Sequence, residues 1–310
     1  MENQITDTIL MVRPAAFAYN AQTATNNSFQ TSAAATEYER IRQYAQAEFD
    51  EMVLKLQHAG VNVVVIADTD APQKPDAVFP NNWFSTHADG GVFLYPMYAE
   101  NRRLERRADI IEQLEHQFDV EGVTDLSDAE NHAVYLEGTG SMILDRPNRL
   151  VYACLSPRTD MGLLSTFCQK TGYKMIPFMA YDRAGSPVYH TNVVMALGET
   201  FAVICLDTIR DVADRNEVVA SLTRTGKTIV DISLEQMENF AGNMLQVRGA
   251  SGFTFLVMSQ RAYNALTETQ KSVLTQHTNL LFAPLATIET YGGGSARCMM
   301  AEIFLPKGGI

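Results

Sequence analysis

The sequence predicts an α/β protein in which five similar units close into a ring. Three observations predict this fold: a hairpin pattern that occurs five times, helical segments between the copies, and short apolar strands after most of these segments. The chain has 310 residues, of which 46% are apolar, so it can bury a sizeable core. A ring is favoured over an open array because closure hides the sheet edges that an open array exposes.

Each copy of the repeat begins with a polar or glycine-rich segment, which is followed by an apolar strand, a turn and a second apolar strand. Four copies have a middle turn typical of β-hairpins, namely ADGG, DRPN, LGET and RGASG. The fifth copy, YGGGSARCMMAEIFLP, has no clear turn. Anchor residues in the copies lie 51 to 58 positions apart, at Asn82, Gly140, Asn192, Asn243 and Ser295. This near-constant spacing predicts the same local structure in every copy.

Helix formers with apolar residues three and four apart fill the intervals between the hairpins. They predict helices over residues 102–118, 161–171, 210–225 and 259–278. Strands are expected at GVTDL, YKMIPF, KTIVDIS and LLFAPLA, with VNVVVIAD before the first hairpin. The opening segment TILMVRP is predicted to supply a strand to the last unit and so close the ring. Because no low-complexity linker interrupts the pattern, we expect one domain over residues 1–310.

Charge and hydropathy exclude several classes of partner. The net charge of −12 repels nucleic-acid phosphates and anionic membranes. No apolar run approaches the roughly 18 residues of a membrane helix, and the first residues lack the basic region of a signal peptide, so a cytoplasmic protein is expected. The four cysteines are too few and too scattered for a disulfide framework, and no CxxC pair indicates zinc.

The repeat has a geometric consequence for function. If every hairpin starts at the same place in its unit, the polar residues that open the hairpins face a common axis. These residues are Asn82, Glu137, His190, Asn243 and Cys298. We therefore expect them to converge, although they are far apart in the sequence.

Among the cysteines, Cys298 is the candidate nucleophile. It follows three glycines in GGGSARC, where the backbone can approach a ligand closely, and the adjacent Arg297 is expected to favour the thiolate. The other three cysteines occupy apolar runs or a helix face and are expected in the core. His190, in YHTNVV, is the histidine in the hairpin register, and a Cys–His pair is the usual means of activating a thiol.

Three further side chains suit a small polar ligand. Glu137, in YLEGTG, can accept hydrogen bonds from the N–H groups of a planar amide, urea or guanidine. Asn82, in FPNNWF, offers both a donor and an acceptor. Arg158, in CLSPRTD directly after a hairpin, can hold a carboxylate with its forked guanidinium. Glu137 and Asn82 would also be unremarkable in a solvated turn.

Six motifs resemble those of the guanidino-group-modifying superfamily, which comprises arginine deiminases, dimethylarginine dimethylaminohydrolases and amidinotransferases. The motifs are PDAVFPNNWF, NRRLER, LEGTG, LSPRTD, YHTNV and GGGSARCM, in the order of the family, and the match runs from about Pro75 to Pro306. Within the superfamily the chain most resembles the bacterial citrulline hydrolases, or citrulline ureidases. The resemblance implies a five-bladed α/β propeller, the pentein fold, which agrees with the number of repeats.

The resemblance also implies roles for individual residues within these motifs. Cys298 would be the nucleophile, His190 the general acid and base, and Glu137 the carboxylate that orients the reacting group. Arg158 would bind the substrate α-carboxylate, with Arg103 as a helper. No metal or organic cofactor is implied, and the only partner implied is a small amino-acid substrate. A homo-oligomer is possible, and the oligomeric state is left open.

A second set of positions concerns the identity of the substrate. Asp76 matches an acid that several relatives place near the polar groups of the substrate. Asn81, Asn82 and Asn192 stand where arginine-directed relatives carry acids. Carboxylates neutralise a guanidinium, whereas a buried carboxylate beside a neutral ureido group would cost several kcal/mol. The three amides therefore favour citrulline, hydrolysed to ornithine, carbon dioxide and ammonia.

Other functions are compatible with the same residues. The nearest alternative is hydrolysis of arginine or methylated arginines, with Glu137 and Asp76 as an anionic clamp. An amidinotransferase would use the same covalent intermediate, and a binding protein without activity would keep the fold. The polar segment 17–36 fits either a lid over the axial opening or a surface excursion.

Overall fold

The computed structural model describes residues 2–308 and has five three-stranded sheets with helices between their strands. The strands are β1 (Thr8–Arg13), β2 (Asn62–Ala67), β3 (Phe84–Thr86), β4 (Gly91–Leu94), β5 (Gly122–Asp125), β6 (Ile143–Asp145), β7 (Leu150–Cys154), β8 (Lys174–Phe178), β9 (Met195–Leu197), β10 (Phe201–Ile204), β11 (Thr228–Asp231), β12 (Leu245–Arg248), β13 (Thr254–Ser259), β14 (Asn279–Ala283) and β15 (Ala301–Glu302).

The helices are α1 (Tyr38–His58), α2 (Ala108–Glu115), α3 (Gly138–Ser141), α4 (Met161–Thr171), α5 (Thr191–Val194), α6 (Val212–Arg224), α7 (Leu234–Glu238), α8 (Gln260–Ala265), α9 (Glu268–Thr275) and α10 (Ala286–Gly292). Three 3-10 turns matter for the site, at Pro80–Asn82, Glu100–Glu105 and Ala296–Met299. None of the helices within residues 2–308 is long and apolar enough to cross a membrane.

All five sheets follow one plan, in which two antiparallel strands are joined by a third strand parallel to the second. Four sheets take their strands consecutively, in the orders β3-β4-β5, β6-β7-β8, β9-β10-β11 and β12-β13-β14. The fifth has the order β15-β1-β2. Its antiparallel pair joins the end of the chain to its beginning, through Ile9 opposite Glu302. The predicted N-terminal contribution to the last unit is confirmed, and it explains why the fifth copy of the repeat lacks a hairpin turn.

The helices agree with the sequence prediction in part. Helix α4 has the predicted bounds, with the Asp160 side chain capping its start and Gly172 at a φ of 75° ending it. The predicted helix 102–118 is shorter, since it becomes the 3-10 turn Glu100–Glu105 and then α2 after an extended Arg107. The predicted helix 259–278 divides into α8 and α9, because a capping box at Thr267 starts a new helix.

The middle strands of the sheets are the centre of the core. Every residue of β7 and β10 is buried, and apolar residues of the neighbouring strands and helices pack against them. Each buried Val, Leu or Phe side chain contributes about 1.5–3 kcal/mol to the free energy of unfolding. Cys154, Cys168 and Cys205 are buried in this core, as predicted.

The turn before the first strand of each sheet contacts its equivalent in the next sheet. These turns are Pro80–Asn82, α3, α5, the loop around Asn243 and Ala296–Met299. Side-chain hydrogen bonds link them in sequence order: Asn81 Nδ2 to Thr139 Oγ1 (3.2 Å), Thr191 Oγ1 to Ser141 O (2.5 Å), Asn243 Nδ2 to Asn192 O (2.8 Å), and Arg297 N to Asn243 Oδ1 (3.0 Å).

Candidate active site

A small cavity lies where these turns meet. Asn82, His190 and Cys298 line it, together with Arg102 and Arg158. The five residues that were expected to converge are brought together, because Asn243 contacts Cys298 and Glu137 contacts His190. The sheets therefore place a thiol, an imidazole, amides and guanidinium groups around one enclosed space.

The Cys298 sulfur accepts two hydrogen bonds from amide groups. Asn192 Nδ2 lies 3.4 Å from Sγ and Asn243 Nδ2 lies 3.3 Å from it. Two such donors stabilise a negative sulfur more than a neutral one. The Arg297 guanidinium donates to Met300 O at 2.8 Å and to Glu302 Oε2 at 2.9 Å, so the effect expected of it on the thiolate would act through its charge and not through a hydrogen bond. The hydrogen bonds to the sulfur come from the two amide groups.

Asn243 is held so that its amide group faces the sulfur. Its Nδ2 also donates to Asn192 O at 2.8 Å, and its Oδ1 accepts from the backbone N–H of Arg297 at 3.0 Å. The side chain is completely buried. Sequence analysis placed Asn243 among the converging residues but gave it no role in the site. Its only signal was its position in the fourth repeat.

His190 and Glu137 form a buried pair behind the cavity. His190 Nε2 lies 2.7 Å from Glu137 Oε2, and Glu137 Oε1 accepts from the backbone N–H of Tyr98 at 2.9 Å. Burial by itself would raise the pKa of Glu137, but Arg158, 3.5 Å away, and the hydrogen bond from His190 lower it to about 2. Burial lowers the pKa of His190 to about 4, against the opposing effect of Glu137.

This pair determines which imidazole nitrogen is available as a base. An ionised Glu137 accepts a hydrogen bond from Nε2–H of a neutral His190, so Nδ1 keeps its lone pair. Nδ1 lies beside Gly140, where a Cβ atom would be only 2.8 Å from it and 2.4 Å from Asn82 Nδ2. A residue without a side chain at position 140 is thus needed for Asn82 and His190 to hold their places.

The position of Glu137 differs from the sequence-based expectation. It was expected to contact the reacting group, but it does not line the cavity, and both its oxygens already accept hydrogen bonds from protein groups. It contacts the imidazole instead. Its observed surroundings suit a carboxylate that orients and polarises His190.

Of the two adjacent arginines in NRRLER, Arg102 reaches the cavity, and the expectation for Arg103 is corrected. Arg102 is 2% exposed and donates to Asn82 Oδ1 and to Glu105, each at 2.9 Å. Arg103 points outward with 26% of its side chain exposed and lies 3.6 Å from Glu130. The motif NRRLER contains both residues, and the register of the 3-10 turn Glu100–Glu105 selects the first. Although burial disfavours the charge, Glu105 raises the pKa of Arg102, which stays protonated.

Asp76 lines the cavity and Asn81 does not. Asp76 Oδ2 accepts from Asn20 Nδ2 at 2.7 Å and from Thr23 Oγ1 at 3.1 Å, while Oδ1 has no hydrogen-bond partner among the described residues. Burial raises the pKa of Asp76. Asn81, expected at the substrate, donates to Thr139 instead and connects two neighbouring turns.

Arg158 lies at the cavity with its donors already engaged. Its Nε lies 2.9 Å from Asn26 Oδ1, its Nη2 also donates to Asn26 Oδ1, and Nη2 is 3.0 Å from Thr23 O. The guanidinium carbon lies 4.8 Å from the centre of the Tyr189 ring. The guanidinium that was expected to bind a carboxylate thus holds an asparagine oxygen.

Asn26 belongs to the polar segment 17–36, which covers the cavity. Gln30 Nε2 donates to Gly292 O at 2.9 Å and Asn27 Nδ2 to Gly293 O at 3.4 Å, so the segment contacts the glycine run before Cys298. Thr23 and Asn27 both line the cavity. The lid position, one of the two alternatives for this segment, is the one observed.

Comparison with known proteins gives one family. Residues 13–305 match the family model described as N,N dimethylarginine dimethylhydrolase, eukaryotic. No curated protein sequence matches the chain. Within residues 2–308, no group of three or more His, Cys, Asp and Glu side chains is arranged to hold a metal ion.

Several solved structures share the fold. The N-terminal domain of ArgZ, an arginine dihydrolase of cyanobacteria, solved with a covalently bound reaction intermediate, has a TM-score of 0.74 at 18% identity, covering 96% of this chain and 99% of that one. Unliganded AgrE has a TM-score of 0.75 at 18% identity, covering 97% of this chain and 40% of the longer AgrE chain. A dimethylarginine dimethylaminohydrolase adduct with S-methyl-L-thiocitrulline has 0.63 at 13%, covering 96% and 99%.

Proposed function

The chain belongs to the N,N-dimethylarginine dimethylhydrolase family of guanidino-modifying enzymes, and we propose that its substrate is L-citrulline, hydrolysed to ornithine, carbon dioxide and ammonia. Enzymes of this kind use a cysteine to hydrolyse C–N bonds of guanidino or ureido groups. The proposal for this chain concerns which of these groups it accepts and which residues act on it.

The orientation of Asn82 carries the proposal. Asn82 Oδ1 accepts from Arg102 Nη1 at 2.9 Å, so the amide group is fixed with Nδ2 directed elsewhere. Nδ2 is buried and has no partner among residues 2–308, and Asn82 lines the cavity. A donor of this kind requires an acceptor. The ureido oxygen of citrulline is an acceptor, whereas the protonated guanidinium of arginine has only donors.

A second unpartnered atom complements the first. Asn192 donates through Nδ2 to Cys298, and its Oδ1 is buried without a partner in the described part of the chain. That oxygen suits an N–H group of the ureido substrate. A neutral group with one acceptor and several donors satisfies Asn82 and Asn192 together, which stabilises the complex by about 1 kcal/mol for each hydrogen bond.

The charges of the site also favour a neutral reacting group. The side chains that donate hydrogen bonds to the thiol are the amides of Asn192 and Asn243. The imidazole of His190, which lines the same cavity, is neutral at pH 7. Glu137 lies 3.5 Å from Arg158 and 2.7 Å from His190, so its charge is already compensated. Glu137 therefore offers no uncompensated charge to a guanidinium.

The proposed chemistry has two steps. His190 Nδ1 takes the proton of the Cys298 thiol as the sulfur forms a bond to the ureido carbon. The bond from that carbon to the terminal nitrogen then breaks, and His190 gives this proton to the nitrogen, which leaves as ammonia. This leaves a thiocarbamate between Cys298 and the ornithine nitrogen. His190 then removes a proton from water, which attacks the same carbon and expels the thiolate. The released carbamate decomposes to ornithine and carbon dioxide.

The other end of the substrate is assigned to Arg158 and Asp76. We infer that the α-carboxylate replaces Asn26 Oδ1 on the guanidinium of Arg158, because both are oxygen acceptors in the same fork. The free Oδ1 of Asp76 would then accept from the α-ammonium group. Binding therefore requires Asn26 and its neighbours in segment 17–36 to move away from Arg158.

The same linkage of turns supports a proposal about architecture. The hydrogen bonds between successive turns favour five sheets arranged as blades about one axis, with residues 1–310 as a single catalytic domain. In this arrangement each blade contributes to the centre. The sequence repeat and the shared strand plan of the sheets agree with it.

An alternative within the family is hydrolysis of arginine or dimethylarginine. The observation in its favour is the unpartnered Oδ1 of Asp76, which lines the cavity and can accept from a guanidinium. With either of these substrates, however, the donor Asn82 Nδ2 would face a guanidinium, which has no acceptor.

Mass spectrometry of products distinguishes these substrates. Citrulline, arginine and dimethylarginine are offered separately to the parent protein, to Cys298→Ser, and to Cys168→Ser as a control for loss of a buried thiol. Ornithine formed from citrulline by the parent and the control, but not by Cys298→Ser, is the expected result. Citrulline formed from arginine or dimethylarginine would overturn the choice of substrate and leave the nucleophile in place.

A further inference from the structure

A second groove, about 920 Å³ in volume, lies between α7, α8 and the start of α10. It is lined mainly by polar side chains, including Gln236, Asn239, Arg261 and Glu289, and it shares no lining residue with the catalytic cavity. Its volume is within the range of small-molecule sites. None of its residues has a role in the proposed hydrolysis.

The groove contains a buried carboxylate that is only partly satisfied. Glu289 is 1% exposed, and its Oε1 accepts from Ser295 Oγ at 2.6 Å. Its Oε2 has no hydrogen-bond partner within the described residues. Loss of water around a buried carboxylate is unfavourable, and this burial raises the pKa of Glu289 to about 7, against the opposing effect of the Ser259 and Ser295 hydroxyls. A cationic donor inside the groove would remove this cost.

The rim of the groove has the opposite charge. Arg261 is exposed, with Nε held by Asn239 Oδ1 at 2.8 Å and Nη2 3.4 Å from Glu238 O. These bonds hold the guanidinium in one orientation while leaving its Nη1 edge for another acceptor. A carboxylate is the group that such an edge binds best.

We propose that this groove binds a basic α-amino acid, with its side-chain ammonium on Glu289 Oε2 and its α-carboxylate on Arg261. The ligand would lie with its ammonium group inside the groove and its α-carboxylate at the rim, because the carboxylate of Glu289 is buried and the guanidinium of Arg261 is exposed. The inference does not depend on which substrate the catalytic site hydrolyses.

Occupancy of the groove would act on the catalytic segment through a short chain of bonds. Glu289 O accepts from the backbone N–H of Gly293 at 3.0 Å, and its side chain accepts from Ser295. Ser295 O accepts in turn from the backbone N–H of Cys298 at 3.0 Å. A ligand on Glu289 would therefore contact a residue that is bonded to Ser295, in the loop that carries the nucleophile.

Isothermal titration tests the site directly. L-Ornithine is titrated into intact protein whose Cys298 has been alkylated with iodoacetamide, so that the small catalytic cavity is blocked. We expect saturable binding at one site, weakened at least 10-fold in Glu289→Gln. Glu235→Gln, which removes an exposed carboxylate of the same groove, is the matched control and should change the affinity less than twofold.

Arg261→Gln provides a second variant on the exposed rim, where folding is not at risk. We expect it to weaken ornithine at least fivefold and to leave 1,4-diaminobutane, which has no carboxylate, unchanged. Absence of binding to the alkylated protein, or equal affinity in Glu289→Gln and the parent, would overturn the proposal. Because alkylated protein is used, failure of the citrulline assay would not affect this result.

Discussion

His190 Nε2 lies 2.7 Å from Oε2 of Glu137, and neither side chain is more than 3% exposed. The two residues open the hairpins of different sheets and are 53 positions apart in the sequence. Their contact assigns a tautomer to the imidazole and a charge to the carboxylate. Most of what the site can do chemically depends on this pair.

Glu137→Gln should lower kcat by about 100-fold or more, because an amide does not impose the Nε2–H tautomer or stabilise a protonated imidazole. Glu130→Gln is the matched control, since it also removes a carboxylate that pairs with an arginine, away from the cavity. The measurement is single-turnover and steady-state kinetics with citrulline. Equal kcat values for the two variants would contradict the role of the pair.

The stability of the protein should decrease in acid because of both members of the pair. His190, with a pKa of about 4 against an ordinary 6.5, resists a proton that the unfolded chain accepts, so stability is lost as the pH falls below 6.5. Glu137, with a pKa of about 2 against 4.5, contributes stability above pH 4.5 that is lost as the pH falls toward 2.

Urea denaturation between pH 7 and pH 4 measures this effect. The loss of unfolding free energy over this interval should be smaller in His190→Gln than in the parent by on the order of 2 kcal/mol. His132→Gln removes an exposed histidine and should follow the parent. Superimposable curves for the parent and His190→Gln would show that this histidine does not titrate differently on unfolding.

Asn243→Ala should reduce the reactivity of Cys298. Loss of the donor 3.3 Å from Sγ removes a hydrogen bond that favours the thiolate, so alkylation by iodoacetamide at pH 7 should slow about 5- to 10-fold. Peptide mass spectrometry identifies the alkylated residue. Asn264→Ala, at an exposed asparagine, should leave the rate unchanged. An unaltered rate in Asn243→Ala would rule out the amide as a stabiliser of the sulfur.

Asn82→Asp should change the preference between substrates. The new carboxylate would keep the contact with Arg102 but replace the free donor by an acceptor, so kcat/KM for citrulline should fall at least 10-fold. Asn101→Asp, outside the cavity, serves as the control for added charge. If citrulline turnover by Asn82→Asp matched the parent, the pocket assignment would be wrong.

Gly140→Ala should lower activity through crowding. The added Cβ would lie 2.4 Å from Asn82 Nδ2 and 2.8 Å from the imidazole, so one of these side chains must move, and we expect at least a 10-fold loss of kcat/KM. Gly122→Ala, whose Cβ would meet nothing within 4 Å, is the comparison. Full activity in Gly140→Ala would mean that the two side chains tolerate displacement.

The elements that sequence reasoning predicted best are those that local chemistry determines. The four hairpins follow from turn residues between apolar runs, and α4 follows from an N-cap aspartate and a terminal glycine. The repeat then predicted which polar residues would meet. The helix 259–278 was predicted too long because a capping box in its middle outweighs the continuous pattern of helix formers.

The contacts of the site residues were harder to predict, since moving a residue by one position along a turn changes the direction of its side chain. Arg102 and Arg103 have the same chemistry, and the 3-10 turn buries Arg102 and leaves Arg103 half-buried beside Glu130. Asn81 and Asn82 are likewise neighbours of the same type, yet only Asn82 lines the cavity. A turn that rotates by a third of a circle for each residue makes such neighbours point in different directions.

The sequence by itself determined the repeated units, the strand that closes the last sheet, and the set of thiol, imidazole, carboxylate and amides at equivalent positions. These features depend on turn chemistry and apolar periodicity, which act over a few residues. Only the tertiary structure decided that Glu137 contacts His190, that amides contact the Cys298 sulfur, and that segment 17–36 covers Arg158. Those contacts join distant segments, and their geometry follows from how the sheets pack against one another.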